Sequence, residues 1–280
     1  MLASLGEVDN SGVEVSVRSI NLQTKDWNWT TSLTYWKNNN KLVHLYGEDK
    51  NGDGKEDDDI VNSLFIGKSL GAIYGYEQIG IVQASDAAYI ALTGAAPGSP
   101  MYNDLDSVPG ITAADRKILG YKDIPNFSLN MSNNVRYKNF ELYVMLTGIF
   151  GGNNYYLKNN AAAYMTTGAG RFNTNMTSKP YWTPENMSNV YPSAYFSGDS
   201  RFLGLQSRGF VRLQDVVLSY TLNKQWIKKA HINSLKVFLS AKNMATITNW
   251  FGGDPEIGTP VTENTFPVAT TYSIGANISF

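Results

Sequence analysis

The sequence predicts an all-β fold, an antiparallel transmembrane β-barrel with long extracellular loops, and three observations predict it. The last nine residues alternate strictly: Tyr272, Ile274, Ala276, Ile278 and Phe280 share one face, and Ser273, Gly275, Asn277 and Ser279 the other. A strand with one apolar and one wet side that stops flush on Phe is what closes an outer-membrane barrel. Several further segments share the two-residue period, while helical period is confined to a turn or two near 112–119 and 224–230. Finally, tight connections alternate with long polar ones, the pattern of short turns on one rim of a barrel and long loops on the other.

The elements follow in order. Val13, Val15 and Val17 alternate with Glu14, Ser16 and Arg18, and Trp27, Trp29, Thr31, Leu33 and Tyr35 alternate with Asn28, Thr30, Ser32 and Thr34. Residues 73–82 form a less regular strand carrying Gly75 and Gly80. Phe127, Leu129 and Met131 define the next, and Phe140, Leu142, Val144 and Leu146 the one after. The strand at 211–222 changes phase around Asp215, Val216 and Val217, which predicts a bulge. Leu235, Val237, Leu239 and Ala241 precede the closing strand, making about eight. Residues 22–27, 137–140 and 221–234 are the short connections; 38–71, 83–125 and 151–209 are the long excursions, which a compact soluble domain seldom tolerates.

Composition narrows the function classes. Aromatics make up 12% of the 280 residues, with 17 Tyr, the ring suited to surfaces that are both apolar and wet. The net charge of −1 indicates attraction neither to nucleic acid nor to an anionic membrane. There is no Cys, which excludes disulfides and thiolate sites, and His44 and His231 stand far apart, so a histidine metal or triad site has no support. No apolar run reaches the ~18 residues of a membrane helix, but barrel strands need only about 9–11 alternating residues. The start, Met1 to Gly6, lacks the basic opening of a signal peptide, which suits a cytoplasmic protein or the later part of something longer.

Six ordered motifs carry a family resemblance. Glu7-Val-Asp-Asn-Ser-Gly-Val-Glu14 resembles an element G-E-V-x-N-x-G-(V/I)-E. Tyr181-Trp-Thr-Pro-Glu-Asn186 with Tyr191-Pro192 resembles W-T-P-x-N…Y-P, and the strand from Phe210 through Arg212 and Asp215 to Tyr220 resembles (Y/F)-(L/V)-R-(L/I)-x-(N/D)-(V/I)-x-L-x-Y. Ala241-Lys-Asn-Met244, Asp254-Pro-Glu256 and the closing strand follow in the family's order. Together they resemble the C-terminal part of SusC/RagA-type TonB-linked outer-membrane proteins, over essentially the whole chain. The resemblance implies the last eight or so strands of a 22-stranded barrel, with residues 1–280 as its C-terminal part and the plug and N-terminal domains absent. It further implies a Gram-negative outer-membrane location and TonB-energised import of oligosaccharides or peptides, without catalysis. The implied partners are a SusD-like lipoprotein, TonB acting through the missing N-terminal part, and the outer-membrane assembly machinery, with no nucleic acid. A gene fragment or split product fits these absences.

Candidate sites lie mainly in loops. Asp49, Asn51 and Asp53 occupy positions 1, 3 and 5 of a calcium-type loop, with Gly54 at the sharp turn, the Lys55 carbonyl at 7 and Asp57 at 9. Ile60 stands where the bidentate acid belongs, so the 49–60 loop reads equally as a solvated acidic tip or a Ca²⁺ site. Asp104, Asp106 and Asp115 keep positions 1, 3 and 12 of a second such loop, but Val108 and Pro109 replace a ligand and the glycine, which argues against a metal there. Tyr155, Tyr156, Tyr181, Trp182, Tyr195 and Trp250 are the substrate-contact candidates, since rings stack on sugar faces; the bland reading is that they pack loops or form a girdle. Glu14, Arg18, Glu141, Arg212, Lys236 and Lys242 are expected to face the lumen, and Tyr272, Ile274, Ile278 and Phe280 to form the outer-membrane assembly signal. The alternative architecture is a soluble or surface-attached β-sandwich that binds carbohydrate through the same loops.

Overall fold

A computed structural model describes residues 6–155, 180–194, 196, 204–228, 231–250, 254–257 and 268–280. Seven long strands form one antiparallel sheet: β1 (Glu7–Gln23), β2 (Trp27–His44), β7 (Pro125–Tyr137), β8 (Phe140–Gly151), β11 (Phe210–Thr221), β12 (Ser234–Thr248) and β13 (Thr271–Ser279). They are ordered as a meander, each pairing with the next, and β1 and β13 are its two edges. The sheet is open, a partial barrel wall. Short strands decorate its loops: β3 (Ala72–Tyr76) pairs with β6 (Arg116–Lys122), β4 (Gln78–Ile81) with β5 (Pro100–Tyr102), and β9 (Asn153–Tyr155) with β10 (Leu205–Ser207).

The expected strand at 73–82 is therefore not part of the wall. It divides into β3 and β4, and the excursions expected on either side of it merge into one connection, 45–124. Connectivity requires this. With seven strands the connections run short, long, short, long, short, long, so every long loop falls on one rim; an eighth wall strand at 73–82 would put long loops on both. The third long loop is 249–270. The chain enters at the long-loop rim, where Glu7 pairs with His44, and β13 finishes at the short-turn rim, where Ser279 pairs with Ser234.

Register sorts the two faces. Leu142, Leu218, Leu239 and Ile274 are cross-strand partners on the outer face, with Val135 and Trp29 continuing the row. Ile274 and Phe280 are each 82% exposed. Two aromatic clusters bound this row. Near the short turns, Trp27 lies 4.4 Å from Tyr137 and Phe140 4.7 Å from Tyr220; near the long loops, Phe127 lies 4.6 Å from Phe150 and 5.7 Å from Tyr35. Phe127 and Tyr137 are ten positions apart on β7. At ~3.3 Å per residue and a tilt of roughly 40° that is about 25 Å, the height of the apolar band of a membrane barrel. Seven strands leave six gaps of ~4.8 Å, a width of about 29 Å across the strands, and with about 33 Å of strand between the clusters the footprint is roughly 950 Å², above the few hundred that a soluble monomer exposes. Among the described residues no second large sheet covers this face, so the sandwich alternative has no second layer.

The inner face is polar. Arg18, Asn28, Thr30, Ser32, Ser132, Asn134, Arg136, Glu141 and Tyr143 line one concavity of about 530 Å³. Lys236 Nζ reaches Glu141 Oε2 at 2.6 Å, and Asn134 Nδ2 donates to Oε1 at 2.8 Å. The bulge expected near 215 is present: register slips between Leu213 and Asp215 against both neighbours. Gln214 is the extra residue against β8; it absorbs the phase change, leaving Leu213 and Val216 both outward and Asp215 inward. Asn243 opposite it has φ +54°, a value Asn tolerates better than most residues, and accepts from Gln214 Nε2 at 3.0 Å. This is the physical content of the Ala241-Lys-Asn-Met244 motif.

Candidate functional site

Above the long-loop rim two excursions lock together. The 45–124 excursion carries the β3–β6 and β4–β5 pairs and helix α1 (Ala87–Thr93). The 180–194 segment docks on it through the Trp-Thr-Pro-Glu-Asn motif, whose turn is closed by Asn186 Nδ2 donating to the Tyr181 carbonyl at 2.8 Å. Trp182 Nε1 donates to Gln83 Oε1 at 2.8 Å, Ile81 N–H donates to Asn189 Oδ1 at 2.9 Å, and Ser193 N–H donates to the Gly98 carbonyl at 2.7 Å. Gly98 is a glycine for two reasons: its φ is +85°, and a Cβ would stand 2.5 Å from the Trp182 ring.

The seam leaves a pocket of about 570 Å³ between β4, β6, β9, β10 and residues 189–192. Tyr76, Tyr121, Tyr155 and Tyr191 supply ring surface; Gln78, Asn153, Asn189 and Gln206 supply amides. Glu77, the one carboxylate among its described lining residues, accepts from Lys117 Nζ at 2.6 Å and Asn103 Nδ2 at 2.8 Å, which hold it below the usual Glu range, Lys117 first. Burial pushes the Tyr155 phenol up to about 12 and raises that of Tyr191. The size falls within the range of small-ligand sites, and rings with neutral amides suit an uncharged polar ligand.

The structure separates the substrate-contact candidates. Tyr155 is in the pocket wall. Tyr181 is half-buried and outside the lining. Trp182 is the brace just described, with its ring on Gly98. Trp250 is buried, beside a shallow groove formed with Gln206, Ser207 and Thr248. Tyr156 and Tyr195 lie outside the described residues. Sequence reading missed Tyr76, Gln78 and Asn189, because 73–82 had been read as a wall strand and Asn189 has no motif of its own.

The two acidic loops differ. In 49–57 the oxygens bind the loop's own amides. Asp49 accepts from Gly52 at 2.7 Å and Gly54 at 2.9 Å, Asn51 from Asp53 at 2.8 Å, Asp53 from Lys55 at 2.9 Å, and Asp57 from Lys50 at 2.7 Å. The donor set is all oxygen, as a hard cation such as Ca²⁺ requires, but no three of the loop's carboxylates converge on one point. Glu56 lies outside this ring: amides of Gly47 and Leu45 and the His44 ring hold it below the usual Glu range. The convergent carboxylates are elsewhere: one oxygen each from Asp104, Asp106 and Asp115 fall within 4.8 Å of one another. Asp115, 1% exposed, accepts from Thr112 and Leu105 N–H, and these bonds lower its pKa.

Two of the quoted motifs meet at Arg212, which is 1% exposed on β11. Its Nη2 donates to both oxygens of Asp254 at 2.8 and 2.7 Å, its Nη1 to Glu256 at 2.6 Å, and its Nε to Thr246 Oγ1 at 3.0 Å. The guanidinium also lies 4.8 Å from the Phe210 ring centroid. Asp254-Pro-Glu256 thus ties residues 254–256 of the connection after β12 to the wall.

No family model matches the chain. TonB-dependent receptor P3 of Formosa agariphila is 28% identical over 303 residues, covering 100% of this chain and 29% of its own length. The TonB-dependent receptor SusC of Bacteroides thetaiotaomicron is 22% identical over 293 residues, covering 100% of the chain and 27% of its own. The RagAB peptide transporter structure superposes with a TM-score of 0.76 at 23% identity, over 98% of the chain and 30% of its own. The chain is SusC-like. These relatives are receptors and transporters rather than enzymes, and the SusC-like sheet has the fold of part of their barrel. The SusC-like chain spans under a third of the length of each.

Proposed function

We propose that the SusC-like chain supplies wall strands and external loops of an outer-membrane importer that takes up oligosaccharides or peptides. In this reading a SusD-like lipoprotein covers the long-loop side and TonB supplies energy. The supporting observation is that the apolar band, the polar inner face and the single-sided long loops coincide in one sheet, with the tyrosine- and amide-lined pocket on the loop side. Tyr272, Ile274, Ile278 and Phe280 serve as the assembly signal, and Ca²⁺ in the 49–60 loop stiffens that tip.

Membrane fractionation tests the reading at its base. The chain is expected in the outer-membrane pellet after alkaline carbonate washing; recovery as a folded soluble protein without detergent overturns it. Uptake tests the rest: Tyr155→Ala is expected to slow growth on the imported nutrient without lowering the amount of protein in the membrane. Unchanged uptake removes the pocket from the pathway.

A further inference from the structure

The net charge of −1 conceals a segregation that only the topology reveals. The 45–124 excursion holds thirteen Asp and Glu against six Lys and Arg, a net of −7. The short connections, 24–26, 138–139 and 222–233, hold five Lys against one Asp, a net of +4. The two remaining long connections cancel, 152–209 at +3 and 249–270 at −3. One rim is acidic, the other basic.

We propose that the basic rim is a docking surface for anionic phospholipid: the lysine ammoniums take headgroup phosphates and the Trp27, Tyr137, Phe140 and Tyr220 rings seat at the acyl boundary. The inference rests on the reading of the sheet as a membrane wall. Lys25, Lys138, Lys224 and Lys228 have no carboxylate partner among the described residues. The turns that carry them are joined: Lys138 N–H donates to the Asp26 carbonyl at 2.7 Å, and Thr221 N–H to that of Asn139 at 2.9 Å. Neighbouring turns are two strands apart, about 10 Å, so the turns that carry the lysines form a row along the rim. Lys138 Nζ stands 5.2 Å from the Tyr137 ring centroid, which puts the charge at the height of the aromatic girdle, as a snorkelling side chain does. Trp226, between Lys224 and Lys228, is 69% exposed. Unpaired like charges so close repel one another unless an anion lies between them, and a phosphate-bearing leaflet supplies it.

The full chain is reconstituted in phosphatidylcholine bilayers containing a minor fraction of phosphatidylglycerol, and tryptophan quenching by brominated forms of each lipid is compared. Phosphatidylglycerol is expected to be enriched about twofold or more around the protein at low salt, with the excess lost at roughly 1 M salt. The combined K25Q/K138Q/K224Q/K228Q variant is expected to abolish the enrichment, and the matching Lys→Arg variant to keep it. K68Q/K122Q, on the acidic side, is expected to leave the enrichment unchanged. Equal quenching by the two lipids, or enrichment unchanged in the Lys→Gln variant, overturns the inference while leaving the membrane reading intact. Loss of enrichment on adding inorganic phosphate at constant ionic strength overturns it in favour of a free-anion site. No quenching by either lipid sinks the membrane reading as well.

Discussion

Arg212 concentrates more interactions than any other side chain described above, and its partners differ in exposure. Asp254 is nearly buried (9%) and Glu256 is 53% exposed at the side chain. Asp254→Ala removes the bidentate acceptor from a guanidinium that water cannot reach, and is expected to destabilise the chain by about 3–5 kcal/mol. Glu256→Gln is expected to cost under about 1 kcal/mol, as for an exposed pair. Denaturant unfolding in detergent micelles measures both. Gly98→Ala should undock the 180–194 segment, since the added methyl meets both a positive φ and the Trp182 ring; a red shift of tryptophan emission reports it. Tyr155, raised to about 12 in the fold against about 10 unfolded, contributes stability that is whole below pH 10 and lost as pH rises toward 12. Tyr155→Phe should therefore flatten the alkaline limb of the unfolding midpoint measured between those values.

At the scale of elements, the excursion 45–124 depends on carboxylates tied to its own amides. Asp115 and Glu56 are both held below their ordinary values. Their contribution is fully present above about pH 4–4.5, the unfolded values, and is lost as pH falls through the depressed ones. Limited proteolysis should find this excursion opening in acid before the wall does, and Asp115→Asn should make it open already at neutral pH. The wall strands were legible because a membrane imposes a strict two-residue period on them. Residues 73–82 were misplaced because a loop hairpin of apolar and glycine residues has the same local pattern as a short wall strand. Only the parity of the connections separates the two, and parity is a property of the whole chain. The partners of Arg212 were illegible for a related reason. Both motifs were visible, but Arg212 and Asp254 are 42 residues apart and nothing local states that they meet.

At the scale of the whole molecule, the two faces of the sheet should respond oppositely to charge. Leu239 stands outward, five residues above the short-turn end of β12, close to mid-height of the apolar band. Leu239→Arg is expected to destabilise the folded state in a bilayer by about 2–4 kcal/mol, whereas Ser240→Arg, facing inward, should change it little. Urea unfolding in lipid vesicles compares them, and equal costs would contradict the assignment of faces. The sequence suggested both faces through alternation alone; the charge sorting between rims was invisible to it, because the net value sums over connections that the fold puts on opposite sides.

The wall strands among the described residues make seven crossings, an odd number. The backbone at Gly6, beside His44, lies on the same side of the bilayer as the pocket, and Phe280, past Ser234, lies on the other. An epitope placed at residue 6 should be reached by antibody on intact cells, while the same epitope after residue 280 should stay hidden until the outer membrane is breached. The wall thus carries its own compass: each end reports one side of the membrane.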